Sequence, residues 1–328
     1  MPRVSVLVAS YQVAPWLGQA LASVLAQTLA DLEVIVVDDA SHDASPDIAA
    51  AFAARDSRVR LVRRDRNLGA TATREEALGL ARGRWLAVLD GDDRMAAERL
   101  ERVVGAAEAV GADWLADDQW IEAEGTSWPA ARLLLDEPAG TSPLDAARFL
   151  DRDPPETIGY GTLKPLIRRD FLLRTGVRWR ARAGRSDDFL MAVDCMAAGA
   201  ACWLLAEPLY HYRLRPGSQV ASTGALATLD HMLEVQALAE RSLAGHPDAR
   251  VAAALARRRA RIELARLYRR ALEAARRGEL AALARLLGRR PALAGLLARG
   301  LGEAVARRLH GGRIPTLANR SLFRAAAG

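Results

Sequence analysis

Lysine is all but absent from this 328-residue chain: Lys164 is the only one among 46 basic residues. A P-loop needs Gly-Lys before Ser or Thr so that the ammonium reaches nucleotide phosphates. Lys164 sits between Leu163 and Pro165, which excludes that class. A GC-rich coding bias accounts for the arginine excess as well as a function would. Cysteine is scarce too. Cys195 and Cys202 form neither a CxxC pair nor a Cys/His ligand pattern, so no disulfide framework is expected. They read as small buried apolar side chains in a reducing compartment. Glycine is missing from residues 10–17, directly behind the first apolar run. A nicotinamide-binding turn would need Gly-x-Gly-x-x-Gly there. Residues 4–30 carry no charge, but Gln12, Pro15, Gln19 and Gln27 interrupt them and the apolar period changes midway. With no basic leader ahead of a compact apolar core, they read as a strand and a helix, not a signal peptide or membrane span.

What is present suits a globular protein, with 51% hydrophobic and 26% charged residues. The net charge of +6 is unevenly spread. Residues 225–328 hold 20 Arg against 8 Asp and Glu, whereas residues 1–224 hold 26 basic and 32 acidic residues. Nucleic acid is not an expected partner despite this basic tail. The tail lacks aromatic interleaving or a known binding motif, and the front part is acidic.

Residues 4–9, 32–37, 59–62 and 85–89 are short apolar runs that predict strands. Between them, helices are predicted from Pro15, over about 45–54 and over 71–81. Pro15 suits a first helical turn. Strands alternating with helices at this spacing predict a mostly parallel sheet covered on both faces. Farther on, helices are expected over 96–110 and 187–198, strands over 113–121 and 202–205, and a loop over 125–141. The second strand is expected to stop before Pro208. From residue 225 the Ala/Leu/Arg pattern is helical throughout. The expected organisation is an α/β domain over 1–222 and a basic α-helical region over 223–328.

Ligands of open α/β sheets bind beyond the carboxyl ends of the strands, and two acidic clusters fall there. Asp90-Gly91-Asp92-Asp93 follows the run ending at Leu89. Three carboxylates at one strand end repel one another unless a cation lies among them. Mg²⁺ or Mn²⁺ fits, with phosphate oxygens completing the shell. Asp38-Asp39-Ala40-Ser41 ends the second strand, where a carboxylate can accept a hydrogen bond from a base N–H; an N-cap for the next helix is the alternative. Asn67-Leu68-Gly69 supplies a tight turn, and Arg74 can face phosphate. An Asp-nucleophile phosphatase also carries Asp-x-Asp behind a strand. It places that pair early with a partnering Lys, whereas Asp90 comes late and Lys164 looks poorly placed to help.

In order and spacing, residues 4–11, the Val-Asp-Asp-Ala-Ser turn, Asn67-Leu68-Gly69 and Leu89-Asp90-Gly91-Asp92-Asp93 resemble the family 2 glycosyltransferases of the GT-A fold. The resemblance is specific over 4–93, looser to about 222, and does not cover the tail. It implies that Asp39 holds the nucleotide base in a pocket lined by Ala9, Ser10 and Tyr11. It further implies that Asp90 faces the ribose or the metal, and that Asp92 ligates the metal with help from Asp93. Glu75 stands where the family often has Asn. Asp187-Asp188, opening a helix, resembles the family's acidic pair beside the acceptor, with Asp187 where Glu is common. Asp188 is the expected base and Asp187 the second choice, with helix capping as the alternative.

Residues 207–218 resemble the loop that closes over the diphosphate. Arg213 and Arg215 share a face of an extended chain and would stabilise the leaving group. His211 either completes the metal shell or is structural. Residues 159–165, with Lys164, resemble an acceptor-side segment of bacterial exopolysaccharide glycosyltransferases of the succinoglycan type. Asp117-Asp118 either contributes there or forms an exposed turn. The implied activity is metal-dependent, inverting transfer of a hexose from a nucleotide-diphosphate sugar, with UDP-sugars the first choice. The acceptor would be a glycan or lipid-linked saccharide hydroxyl. A non-catalytic nucleotide-sugar binder of the same fold is the rival reading. The expected location is cytoplasmic, with peripheral contact to the inner membrane face through the basic tail, whose Leu face otherwise packs on protein.

Overall fold

The computed structural model describes residues 1–123, 131–134, 136–155, 158–180, 186–214, 226–290, 293–295 and 297. They fall into two compact units. One takes Met1–Ala146 and Tyr160 to the end of the last strand; the other takes Ala147–Gly159 and the C-terminal helices. The boundary expected near residue 222 lies outside the described residues. Nothing in the sequence pattern foretold that residues 147–159 group with the C-terminal helices.

The first unit is built on one ten-stranded sheet among the described residues. Strands β1 (Val4–Ser10), β2 (Leu32–Asp38), β3 (Val59–Arg63) and β4 (Trp85–Asp90) run parallel in the order β3-β2-β1-β4. β1, β2 and β4 are buried along almost their whole length, as expected for parallel strands covered on both faces. Two polar residues inside this core satisfy each other: Ser5 Oγ donates to Glu33 at 2.6 Å across the β1–β2 register. Helices α1 (Ala14–Leu25), α2 (Ser45–Arg55) and α3 (Ala70–Leu80) connect these strands. α1 carries Pro at its start and buries Leu17, Leu21 and Val24.

The sheet continues with two-residue β5 (Arg94–Met95), β6 (Trp114–Ala123), β7 (Ala131–Arg132), β8 (Thr141–Pro143), β9 (Leu166–Arg168) and β10 (Cys202–Leu214). β9 inserts antiparallel between β4 and β6, giving the order β3-β2-β1-β4-β9-β6-β10-β5. α4 (Arg99–Ala109), α5 (Ala146–Asp151), α6 (Arg169–Thr175) and α7 (Asp187–Ala197) intervene. The strand expected to stop before Pro208 runs on to Leu214. Register shifts on either side of Pro208 absorb the residue that has no N–H to give. The stretch read as a loop over 125–141 contains β7 and the start of β8 among its described residues. Asp118 organises it, accepting from Arg132 Nε and the Leu134 amide, each at 2.7 Å.

In the second unit, α8 (Leu226–Ser242), α9 (Ala249–Arg276) and α10 (Leu280–Arg289) are helical as expected. Several arginines of this basic region are bonded within the unit. Arg258 is buried and donates to Asp153 and Gln236, both at 2.7 Å. Arg257 pairs with Asp151, and Arg261 donates to the Leu150 and Asp151 carbonyls. No helix among the described residues is long and apolar enough to cross a membrane.

Candidate active site

Register alone aligns three strand ends: Ala9 lies beside Asp90, and Ser10 beside Asp38. Asp38 is buried and accepts from Ser10 Oγ at 3.1 Å, Ser41 Oγ at 2.7 Å and the Ser41 amide at 2.9 Å. It stitches two loops together. Gln12 helps by accepting from the His42 and Asp43 amides at 3.0 and 3.1 Å. Gln12 and Ala40 both have positive φ, 53° and 60°, an uncommon conformation that clusters at functional sites.

Asp39 is brought to the Asn67–Gly69 turn. Its carboxylate accepts from the Leu68 amide at 2.9 Å, the Gly69 amide at 2.7 Å and Arg64 at 3.1 Å. Gly69 has φ +89° and ψ 162°, a region open essentially to glycine alone. In this state Asp39 is buried and holds the turn. Tyr11 and Leu68, 44% and 51% exposed, are the large apolar residues left to solvent on these two loops.

Beneath the loops lies a buried ion network. Arg74, on α3, donates to Asp90 at 2.5 Å and to Asp187 at the start of α7. Lys164, 4% exposed, reaches Asp90 at 2.8 Å and also bonds Asp188. Three carboxylates, from β4 and α7, therefore share two cations. Burial would raise the Asp90 carboxyl, but Lys164 and Arg74 outweigh it and hold Asp90 well below the usual carboxylate range. Burial pushes Asp187 upward against the pull of Arg74. The expectation that Lys164 is poorly placed to meet Asp90 is thus wrong: β9 lies next to β4 and brings the two together.

The other two carboxylates of the β4 turn behave differently. Asp93 is buried, accepting from Tyr210 Oη and the Arg213 amide, each at 2.7 Å. Burial, with Asp90 and Asp92 close by, raises its carboxyl well above the ordinary value. Asp92 is half-buried, and its carbonyl accepts from Arg213 Nε at 2.9 Å. Arg213 therefore does come to the acidic turn; Arg215 lies outside the described residues. His211 faces away from this group, with Nδ1 2.8 Å from Glu122. Among the described residues, no three His, Cys, Asp or Glu side chains are clustered to hold a metal ion.

Asp117 and Asp118 form neither an exposed turn nor an acceptor surface: both are buried inside β6. Asp117 pairs with Arg99, and Arg99 also donates to the Lys164 carbonyl at 2.6 Å. The Arg99 guanidinium stacks 4.9 Å from the centre of the Tyr210 ring. Pattern reading set Lys164 on the acceptor side without its link to Asp90, and it gave Arg99 and Tyr210 no role of their own. The one available signal was that Lys164 is the sole lysine of an arginine-rich chain.

A mixed α/β sheet with a parallel core carries acidic turns on adjoining strand ends, above a buried cationic pair, and has the GT-A architecture of its solved neighbours. The chain belongs to glycosyl transferase family 2, whose profile matches residues 5–168. It is similar to the succinoglycan biosynthesis protein ExoO of Rhizobium meliloti, 32% identical over 71% of this chain and 65% of that protein. It is also similar to ExoU of the same organism, 30% identical over 60% of this chain and 58% of that one. The chain thus spans less than two thirds of the length of either relative. Crystalline S. aureus TarS 1-349 superposes with TM-score 0.61 at 16% identity, over 87% of this chain and 90% of that one. The mannosyltransferase PcManGT from Pyrobaculum calidifontis, solved with GDP-Man and Mn²⁺, gives TM-score 0.59 at 22% identity, over 99% and 86%. At these identities the likeness is one of fold.

Proposed function

We propose that this chain is an inverting glycosyltransferase that moves a hexose from a nucleotide-diphosphate sugar to an acceptor hydroxyl in bacterial exopolysaccharide synthesis. The observation that carries this reading is the paired anchoring of Asp188 and Asp90 by one buried ammonium. It sets a candidate base beside a candidate donor-binding carboxylate.

On this reading the nucleotide lies along the Ala9–Tyr11 loop and the Asp39–Gly69 turn, with Tyr11 and Leu68 as apolar walls. UDP-sugars are the first donors to try. Asp188 is the base. Asp187 is engaged by Arg74 and by the Asp188 amide at 3.0 Å, whereas the Asp188 side chain is 11% exposed. Asp188 takes the proton from the acceptor hydroxyl as that oxygen attacks the anomeric carbon. The sugar–phosphate bond breaks on the opposite face, so one displacement inverts the centre. Arg213, fixed against the Asp92 carbonyl, offsets charge on the leaving diphosphate; Arg215 is proposed to share that task.

Asp92, with Asp93 beside it, would hold a divalent cation only together with the bound donor, because the described residues form no protein cage for one. Asp92 offers an oxygen ligand and Asp93 lies next to it, while Asp90 is taken up by Arg74 and Lys164. Mg²⁺ or Mn²⁺ held there would supply Lewis-acid stabilisation of the diphosphate.

A panel of nucleotide sugars with Mg²⁺ and Mn²⁺, read by nucleotide-diphosphate release and acceptor-dependent transfer, tests the proposal. Binding without release in every condition would leave a nucleotide-sugar-binding protein. A peripheral position on the cytoplasmic membrane face rests on exposed Arg270, Arg276, Arg277 and Leu280 of the tail. Salt-sensitive co-sedimentation with anionic but not neutral vesicles is the result it requires.

A further inference from the structure

Lys164 takes no chemical step in the mechanism above, yet it is one of the most completely engaged cations in the sheet unit. Its ammonium is buried between Asp90, at the end of β4, and Asp188, in the first turn of α7. Burying an ammonium is costly unless it is paired, and here two carboxylates pair it. Those carboxylates raise the Lys164 pKa against the opposing effect of burial. Its main chain is fixed as well, because the Lys164 carbonyl accepts from Arg99, which Asp117 grips through Nε and Nη2. A lysine tied at both ends is a rigid strut. Arg74 forms a second strut to the same Asp90, ending on Asp187.

We propose that Lys164 is a positioning residue that acts through Asp188, locking the base at a set place relative to the donor-side carboxylate Asp90. The inference rests on the proposed role of Asp188. A loss of register of about 1 Å between reacting groups can cost about 10²-fold in rate. Lys164→Met is therefore expected to lower kcat by about that factor while leaving KM for the donor and the affinity for UDP unchanged. Lys164→Arg keeps a cation in place but presents it as a planar fork, and it should recover part of the lost turnover.

The deciding experiment is a double-mutant cycle read by kcat, with UDP binding as the check on folding. If Lys164 acts through Asp188, Lys164→Met adds no further loss to Asp188→Asn. Full loss in each single variant, multiplied in the double, would overturn the proposal, as would normal turnover in Lys164→Met. So would an equal fall in UDP affinity and kcat. Should Lys164→Met fail to fold, the same cycle is run with Lys164→Arg, whose partial loss must likewise vanish in the Asp188→Asn background. Wild-type release of nucleotide diphosphate tests the parent reading separately. If the wild type turns over and Asp188→Asn is fully active, both the base assignment and the strut fail while the transferase stands.

Discussion

Arg99 and Asp117 form a pair within the sheet unit that solvent does not reach, each side chain 1% exposed, with Nη2 to Oδ1 at 2.7 Å and Nε to Oδ2 at 2.9 Å. The pair supports the site from below: Arg99 meets the Lys164 carbonyl on one side and the Tyr210 ring on the other. Tyr210 in turn donates to Asp93. Removing one partner would leave an uncompensated buried charge. Asp117→Ala is expected to cost about 3–5 kcal/mol in chemical unfolding. Replacing both residues by apolar side chains of similar volume should recover much of that loss. If the double variant is less stable than Asp117→Ala, the pair is not the source of the effect.

Gly91 sits in the acidic turn because nothing larger fits. A Cβ there would lie 2.9 Å from Val13 Cγ2 and 3.1 Å from the Ala9 carbonyl oxygen. Val13 is β-branched and stiff, so the clash is not cheaply relieved. Gly91→Ala should destabilise by about 1–3 kcal/mol, the usual scale for overpacking. Val13→Ala in the same chain should restore part of it. Urea midpoints of the three variants decide this; an unchanged midpoint in Gly91→Ala would show that the turn has room to spare.

Asp92→Asn replaces the proposed ligand carboxylate with a neutral amide at a half-buried position. The variant should keep its melting temperature and lose most turnover. Excess chelator should do the same to the wild type, with Mg²⁺ or Mn²⁺ restoring the rate. Full activity in chelator would remove the metal from the mechanism.

The depressed Asp90 carboxyl sets a pH dependence whose sign can be worked out. Burial opposes ionisation, but Lys164 and Arg74 win. A carboxylate whose pKa is lowered by folding stabilises above its unfolded value, about 3.9. That contribution is lost as pH falls through the folded value. The stability advantage of the wild type over Asp90→Asn should therefore hold steady from neutral pH to about pH 5 and shrink below about pH 4. Paired unfolding curves across this range test it. A difference that grew on acidification would mean that Asp90 is not held by these cations.

Much of the fold and part of the site were legible from residue order alone. The apolar runs at β1, β2 and β4 read as buried strands, and they are. The carboxylates that close them had to lie at one edge, since parallel strands end on the same side. The limits appear where pairing is nonlocal. Pro208 suggested a strand end because a proline withholds its N–H, yet register shifts carry β10 past it. That extension delivers Tyr210 to Asp93, 117 positions away. The tail's helices were evident from their period. The inward turn of Arg258 was not, because it depends on Asp153, 105 positions earlier.

The sequence by itself determined the alternation of strands and helices, the acidic strand ends and the helix-opening pair Asp187-Asp188, because each is written in a local pattern of polarity. Only the tertiary structure decided which charges meet. Placing β9 antiparallel between β4 and β6 puts the one lysine between Asp90 and Asp188. That choice is made by the packing of whole strands. Inside a core of low dielectric, where an unpaired charge is so costly, it gives each of these ions its partner.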